Sequence, residues 1–117
     1  TMTIRECYES VDSNYDDVLG RLGSERLIQK FALKFLDDTS YQELVDSMKK
    51  ADGESAFRAA HTLKGVCLNL GFTALGEVSS VLTEALRPNK DTTGCEAMLA
   101  NVTKEYERLV QVLRQLS

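Results

Sequence analysis

The single histidine of the chain, His61, is the residue best suited to chemistry in this sequence. A neutral imidazole is a competent nucleophile near pH 7, because its ordinary pKa lies close to that value. Lys64 and Gly65 follow it by three and four residues, so on a helix all three share one face. Lys64 can offset the charge of a phosphoryl group on the ring, and Gly65 leaves room for a bulky phosphoryl donor. This spacing predicts an accessible nucleophile beside a cation and a gap.

The segment around His61 has the period of an amphipathic helix. With His61 at zero and about 100° per residue, five apolar residues fall between about 140° and 220°. They are Ala56, Ala59, Leu63, Val66 and Leu70. We expect them to face the core and His61 to face solvent, with Phe57 and Leu68 beside it as an apolar docking patch. Asp52 is the expected N-cap of this helix and Gly71 its C-terminal glycine.

Residues able to cap further helices recur along the chain. They are Ser24, Thr73 and the capping-box pairs Ser40–Glu43 and Thr93–Glu96. Apolar stripes follow the two later caps: Leu75, Val78, Leu82 and Ala85 after Thr73, then Leu99, Val102, Tyr106, Leu109, Leu113 and Leu116 after Thr93. Ahead of Ser24, a short helix around residues 14–20 is expected to cover one end of the fold.

No segment shows the alternation of a β-strand, and the connections between the helical segments are short. The expected fold is therefore all-α, an antiparallel four-helix bundle (up-down-up-down) with a short extra N-terminal helix. We expect one domain over residues 1–117, with residues 1–23 as the N-terminal helical segment and 24–117 as the bundle.

Composition excludes several classes of function. The net charge of −4 and pI near 5.0 argue against nucleic acid and anionic membranes as partners. No apolar run approaches the roughly 18 residues of a membrane span, and no signal-peptide pattern is present, so a cytoplasmic location is expected. Cys7, Cys67 and Cys95 are widely spaced, which indicates reduced thiols, and Cys67 is expected to be a small buried hydrophobe.

Sequence signatures of an enzyme are missing. The chain has no G-x-S-x-G elbow, Walker loop or H-E-x-x-H motif, and one His with three distant Cys does not make a zinc site. We therefore expect no metal and no cofactor. Without a nucleotide site, the chain shows no means of phosphorylating itself from ATP, and we do not expect it to be an enzyme.

Residues 61–71 resemble the signature of histidine-containing phosphotransfer (HPt) domains, His-x-x-Lys-Gly with a further glycine ten residues after the histidine. The resemblance runs from about Ser24 to the C-terminus and implies a four-helix bundle whose histidine carries a phosphoryl group between receiver-domain aspartates. It implies that His61 is the phosphoacceptor, that Lys64 stabilises the phosphoryl group and that Gly65 gives steric access. Receiver docking is expected at Phe57, Arg58 and Leu68.

The family also has a residue that orients the histidine, often Gln or Glu on the next helix, hydrogen-bonded to the imidazole. This chain has Thr83 beside Glu84 in that region, so these two are the candidates for orienting the ring. A second departure is Cys67, where the family usually has Ser or Ala.

The partners implied by the resemblance are response-regulator receiver domains and a histidine kinase, which can be a hybrid kinase. The protein itself is expected to be a monomer. The alternative function is a helical protein-interaction module that is not phosphorylated, which a buried His61 would favour. A bundle that binds a small ligand or metal is the weakest reading, because the core faces carry no convergent His or carboxylate set.

Overall fold

Seven α-helices and no strand make up residues 1–116, the part of the chain that the structure, a computed structural model, describes. In chain order they are α1 (Ile4–Ser10), α2 (Tyr15–Leu22), α3 (Glu25–Phe35), α4 (Ser40–Lys49), α5 (Gly53–Leu70), α6 (Thr73–Leu86) and α7 (Glu96–Leu113). The all-helical fold predicted from the sequence is confirmed. Across these residues, no helix combines the length and the apolar character needed to cross a bilayer.

Helices α4 to α7 pack against one another in chain order, α4 on α5, α5 on α6 and α6 on α7. Helix α4 also meets α7, because the ring of Tyr41 stacks on Tyr106 with centroids 3.8 Å apart and the Tyr41 hydroxyl donates to Thr103 at 2.9 Å. Helix α3 packs instead on α1, α2 and α5. Residues 24–116 thus hold five helices, of which α4 to α7 pack in sequence and α3 lies beside them.

The N-terminal segment forms two short helices, α1 and α2, where the sequence predicted one around residues 14–20. Helix α1 begins with a capping box, in which Thr3 accepts from the backbone N–H of Glu6 at 3.1 Å and the Glu6 carboxylate accepts from the N–H of Thr3 at 2.9 Å. The fully buried Tyr8 donates its hydroxyl to the carbonyl of Leu70 at 2.6 Å. This bond fixes α1 to the last residue of α5.

Two of the predicted N-caps are confirmed. The side chain of Ser24 accepts from the N–H of Leu27 at the start of α3, and that of Asp52 accepts from the N–H of Ser55 at the start of α5, both at 3.1 Å. Each bond satisfies one of the backbone donors that a helix leaves unpaired at its N-terminus. The beginning of the His61 helix is therefore fixed by a local signal.

The remaining caps differ from the prediction for a shared reason. The N–H of Ser40 donates to Asp38 at 2.8 Å, and the N–H of Thr93 donates to Asp91 at 2.9 Å. Each aspartate forms a turn with a residue two positions on, so Ser40 is the first residue of α4, Thr93 lies in the turn before α7, and neither side chain caps a helix. Neither α4 nor α7 has a side-chain cap, and Thr73 is the first residue of α6 and not its cap.

Glycines fix both ends of α5. Gly71 has φ +71°, the left-handed conformation that ends a helix, as the sequence predicted. Gly53 is buried at the other end, where a Cβ atom would overlap the backbone carbonyl of Lys90. The loop between α6 and α7 therefore lies directly against the first turn of α5, and this contact brings that loop close to the His61 face.

Candidate functional site

Helix α5 exposes His61 and buries the opposite face. Of the five predicted core residues, Ala56, Ala59, Leu63 and Leu70 are buried and Val66 is half-buried. His61 lies on the exposed side, and neither of its ring nitrogens has a hydrogen-bond partner within residues 1–116. The imidazole is therefore open to an incoming group from solvent.

Three residues on the same face of α5 surround this opening. Lys64, one turn after His61, is half-buried and takes part in no salt bridge with any residue from 1 to 116. Gly65 is exposed, and a Cβ atom added there would meet nothing within 4 Å. Leu68, in the last turn of α5, is 61% exposed, which is unusual for a leucine on a packed helix. A cation, a gap and an apolar side chain thus follow the imidazole along the helix.

The ring of Phe57 lies on the other side of His61, one turn earlier. The centroids of the two rings are 5.9 Å apart and their planes differ by 22°, so the rings are stacked. Two cations from the loop after α6 lie over Phe57, the guanidinium of Arg87 at 5.1 Å and the ammonium of Lys90 at 4.6 Å from its centroid. Phe57 is consequently half-buried instead of forming an open apolar patch.

An ion pair at the C-terminal end of α6 faces the site. Arg87 donates to both carboxylate oxygens of Glu84, with its Nε at 3.1 and 3.2 Å and its Nη2 at 2.9 Å. These hydrogen bonds from Arg87 are the main cause that lowers the pKa of Glu84, and the charges of Arg87, Lys64 and His61 lower it further. Glu84 is therefore within electrostatic range of both His61 and Lys64, although Arg87 takes up its hydrogen bonds.

Thr83 does not face the imidazole, and the expectation that it helps to orient the ring does not hold. It is fully buried, and its hydroxyl donates to the carbonyl of Ser79 at 2.7 Å within α6. The buried stripe of α6 is Leu75, Ser79, Leu82, Thr83 and Leu86. The stripe predicted from the sequence included only apolar residues and was therefore rotated toward Val78 and Ala85. In the structure, Val78 is half-buried and Ala85 is exposed.

Arg58 lies on a different flank of α5 from Phe57 and Leu68. It forms an ion pair with Glu54 at 3.6 Å and donates to Ser55 at 3.3 Å. Together with residues of α4 it lines an open cleft of about 370 Å³ that does not include the histidine. The three predicted docking residues are therefore spread around His61, and Leu68 is the more exposed of the two apolar ones.

Three residues near the site were not predicted. Arg87 and Lys90 belong to the α6–α7 loop, whose path over α5 depends on the close packing at Gly53. Val81 on α6 is 57% exposed and follows Ser80, which lines a groove with Lys64 and Leu68. Glu84 and Arg87 are three residues apart, and this spacing is a sequence signal from which their ion pair could have been predicted.

Cys67 is a core residue, as expected. It is fully buried, and burial raises the pKa of its thiol to about 12. Cys7 and Cys95 are also buried and free. In the described range, residues 1–116, no group of three His, Cys, Asp or Glu side chains lies close enough together to hold a metal ion.

A family model described as the Hpt domain matches residues 26–115 of the 117-residue chain. The chain belongs to the Hpt domain family. The match spans α3 to α7 and includes His61, the only histidine in the sequence. Comparisons with curated proteins and with solved structures gave no significant match.

Membership of this family implies a helical bundle and a role in two-component signalling by phosphorelay. Hpt domains are carriers in histidine phosphotransfer and interact with receiver domains and histidine kinases. The geometry of this Hpt domain is compatible with that role, because an exposed imidazole has a cation and open space beside it.

Proposed function

We propose that His61 is the phosphoacceptor of this Hpt domain, receiving a phosphoryl group from a receiver-domain aspartate or a histidine kinase and passing it to another receiver aspartate. The observation that carries the proposal is that the only histidine of an Hpt-family chain is exposed in mid-helix and has no role in the core. A buried His61 would have favoured the alternative, an interaction module that is not phosphorylated, but His61 is exposed.

The transfer is a substitution at phosphorus. A nitrogen of the neutral imidazole of His61 attacks the phosphorus of the aspartyl phosphate, so that a P–N bond forms while the P–O bond to the aspartate breaks. The aspartate carboxylate leaves with the electron pair of that bond. The reverse reaction on a second receiver regenerates the free histidine. Positioning and charge stabilisation dominate such transfers, so a small domain with few chemical groups is sufficient.

Lys64 stabilises the charge that arrives at the imidazole. The phosphoryl group brings negatively charged oxygens next to His61, and the ammonium of Lys64 lies one turn along the same face. Because Lys64 is held in no salt bridge within residues 1–116, it does not have to leave a partner before it binds these oxygens. Arg87 neutralises the nearby carboxylate of Glu84, which would otherwise repel the incoming group.

The docking surface for the receiver is the exposed face that runs from α5 to α6. Leu68 and Val81 supply its apolar area, and Gly65 supplies clearance for the active centre of the receiver. The groove of about 350 Å³ between these helices, which is lined by Lys64, Leu68 and Ser80, continues this surface. Phe57 and Arg58 lie at its edges.

The finer points of the fold and setting are also part of the proposal. We take α4 to α7 as the up-down-up-down four-helix bundle, which their sequential packing and the contact between Tyr41 and Tyr106 support. We expect the domain to be a monomer in the cytoplasm, where receiver domains and reduced cysteines are both found.

Transfer from a phosphorylated receiver tests the proposal. A receiver domain from the same organism, phosphorylated with acetyl phosphate, is mixed with the wild-type protein or with His61→Gln. We expect the wild type to take up the phosphoryl group and His61→Gln to take up none while keeping the helical circular dichroism spectrum of the wild type. Phosphorylation of a folded His61→Gln variant would show that another residue is the acceptor.

A further inference from the structure

Among residues 1–116, no polar side chain is hydrogen-bonded to the imidazole of His61. No hydrogen bond reaches its ring nitrogens from residues 1–116. Thr83 is turned into the core, and the carboxylate of Glu84 is occupied by Arg87. The ring contact that the structure does provide is the stacked Phe57, with centroids 5.9 Å apart.

Phe57 is in turn held by the loop that follows α6. Arg87 and Lys90 both place their charged groups over its ring, at 5.1 and 4.6 Å. Lys90 also donates from its ammonium to the carbonyl of Arg87 at 2.6 Å, which ties the two cations together. The backbone of Lys90 lies against Gly53, in the first turn of α5, so the loop cannot move away from Phe57 without breaking that packing.

We propose that Phe57 is a positioning residue for the phosphoacceptor ring and that Arg87 and Lys90 hold Phe57 in place. Stacking places the Phe57 ring beside one face of the imidazole and leaves the ring nitrogens, which lie on its edge, free to react. It also restricts the rotation of the His61 side chain, so that less conformational freedom is lost when the transfer begins. The inference rests on the proposed function of His61 and assigns Phe57 a role other than receiver docking.

A small phosphoryl donor separates positioning from docking, because phosphoramidate makes no use of a protein interface. The rate of His61 phosphorylation is measured against phosphoramidate concentration for the wild type, Phe57→Leu and Phe57→Tyr. We expect Phe57→Leu to lower the limiting rate roughly tenfold, within the range expected for a misplaced reacting group, with little change in the half-saturating concentration. Phe57→Tyr keeps the stacked ring and should restore the rate to within about twofold.

Phe31 offers a matched control. It is also a half-buried phenylalanine with a cation over its ring, since the ammonium of Lys34 lies 5.9 Å from its centroid, but it is on α3. Phe31→Leu should therefore react with phosphoramidate at the wild-type rate. If Phe57→Leu also reacts at the wild-type rate and is slower only with a phosphorylated receiver, then Phe57 is a docking residue and the inference is wrong.

Two further measurements test the inference even if Phe57→Leu does not fold. The double variant Arg87→Gln/Lys90→Gln keeps Phe57 but removes both cations, and we expect it to lower the phosphoramidate rate in the same direction. In the wild-type protein, proton NMR should show nuclear Overhauser contacts between the Phe57 and His61 rings and one dominant rotamer for His61. A freely rotating His61 ring would overturn this inference, whether or not the protein is phosphorylated. Failure of every donor to phosphorylate the protein would instead contradict the proposed function.

Discussion

Replacing Gly65 by alanine should make this Hpt domain more stable and less active. Gly65 is in the interior of α5, is exposed and has open space where a Cβ would point. Alanine is favoured over glycine in a helix interior by roughly 1 kcal/mol. For a domain of this size, we expect the melting temperature to rise by about 4 °C. The packing around Gly65 therefore does not require a glycine at this position.

Transfer should change in the opposite direction. Residue 65 lies one helical turn after His61, so that their Cβ atoms would be roughly 5–6 Å apart. A methyl group there narrows the approach of a receiver, and a glutamine side chain closes it. We expect Gly65→Ala to slow transfer several-fold and Gly65→Gln to slow it on the order of a hundredfold, because small displacements of the reacting groups carry costs of that size.

Gly20 is the matched control for this experiment. It too is an exposed helical glycine with nothing within 4 Å of an added Cβ, but it lies in α2. Gly20→Ala should gain similar stability and transfer at the wild-type rate. The assays are urea unfolding followed by circular dichroism, and transfer from a phosphorylated receiver followed by phosphate-affinity electrophoresis. If Gly65→Gln transferred at the wild-type rate, the steric role of Gly65 would be refuted. If Gly65→Ala unfolded at a lower urea concentration than the wild type, the open space beside Gly65 would be refuted.

Two other substitutions test the charge at the site and the packing beneath it. Lys64→Gln should slow phosphorylation of His61 about ten- to a hundredfold, which is the equivalent of losing one charge-assisted hydrogen bond. The unfolding midpoint should not change, and Lys64→Arg should keep most of the wild-type rate. Equal rates in Lys64→Gln and the wild type would exclude the phosphate-stabilising role. Gly53→Ala should destabilise the fold by about 1–3 kcal/mol in urea unfolding, because its Cβ would overlap the carbonyl of Lys90, and a wild-type unfolding midpoint would contradict that close packing.

The His61 helix could be predicted from sequence because its signals are local. Asp52 and Gly71 mark its two ends, and the apolar period between them separates the buried face from the exposed one. Those signals also place Lys64 and Gly65 beside the histidine without any knowledge of the other helices. The part of the site that lies on α5 was therefore available in the sequence.

The rest of the fold depends on contacts that a sequence pattern does not show. Ser79 and Thr83 are polar but fully buried, so a stripe drawn from apolar residues was rotated toward Val78 and Ala85, although Leu75 and Leu82 are buried as predicted. Helix α1 has a capping box at Thr3 but only seven residues, and its stability depends on tertiary contacts such as the bond from Tyr8 to Leu70. Neither the buried face of α6 nor the short helix α1 shows the extended apolar periodicity by which α5 was predicted.

The loop residues of the site were missed for a similar reason. Arg87 and Lys90 come 26 and 29 positions after His61, and they reach Phe57 only because Gly53 allows the loop to lie on α5. Their types are those of ordinary surface cations, and no spacing rule connects a loop to a helix that it crosses.

The mass of the intact protein tests most directly whether His61 carries the phosphoryl group. The wild type and His61→Gln are incubated with phosphoramidate and then with a phosphorylated receiver, and the modified site is mapped at alkaline pH, where phosphohistidine survives. We expect one acid-labile phosphoryl group on the wild type, located at His61, and none on His61→Gln. A wild-type protein that neither donor modifies, or a phosphoryl group found equally on His61→Gln, would contradict it.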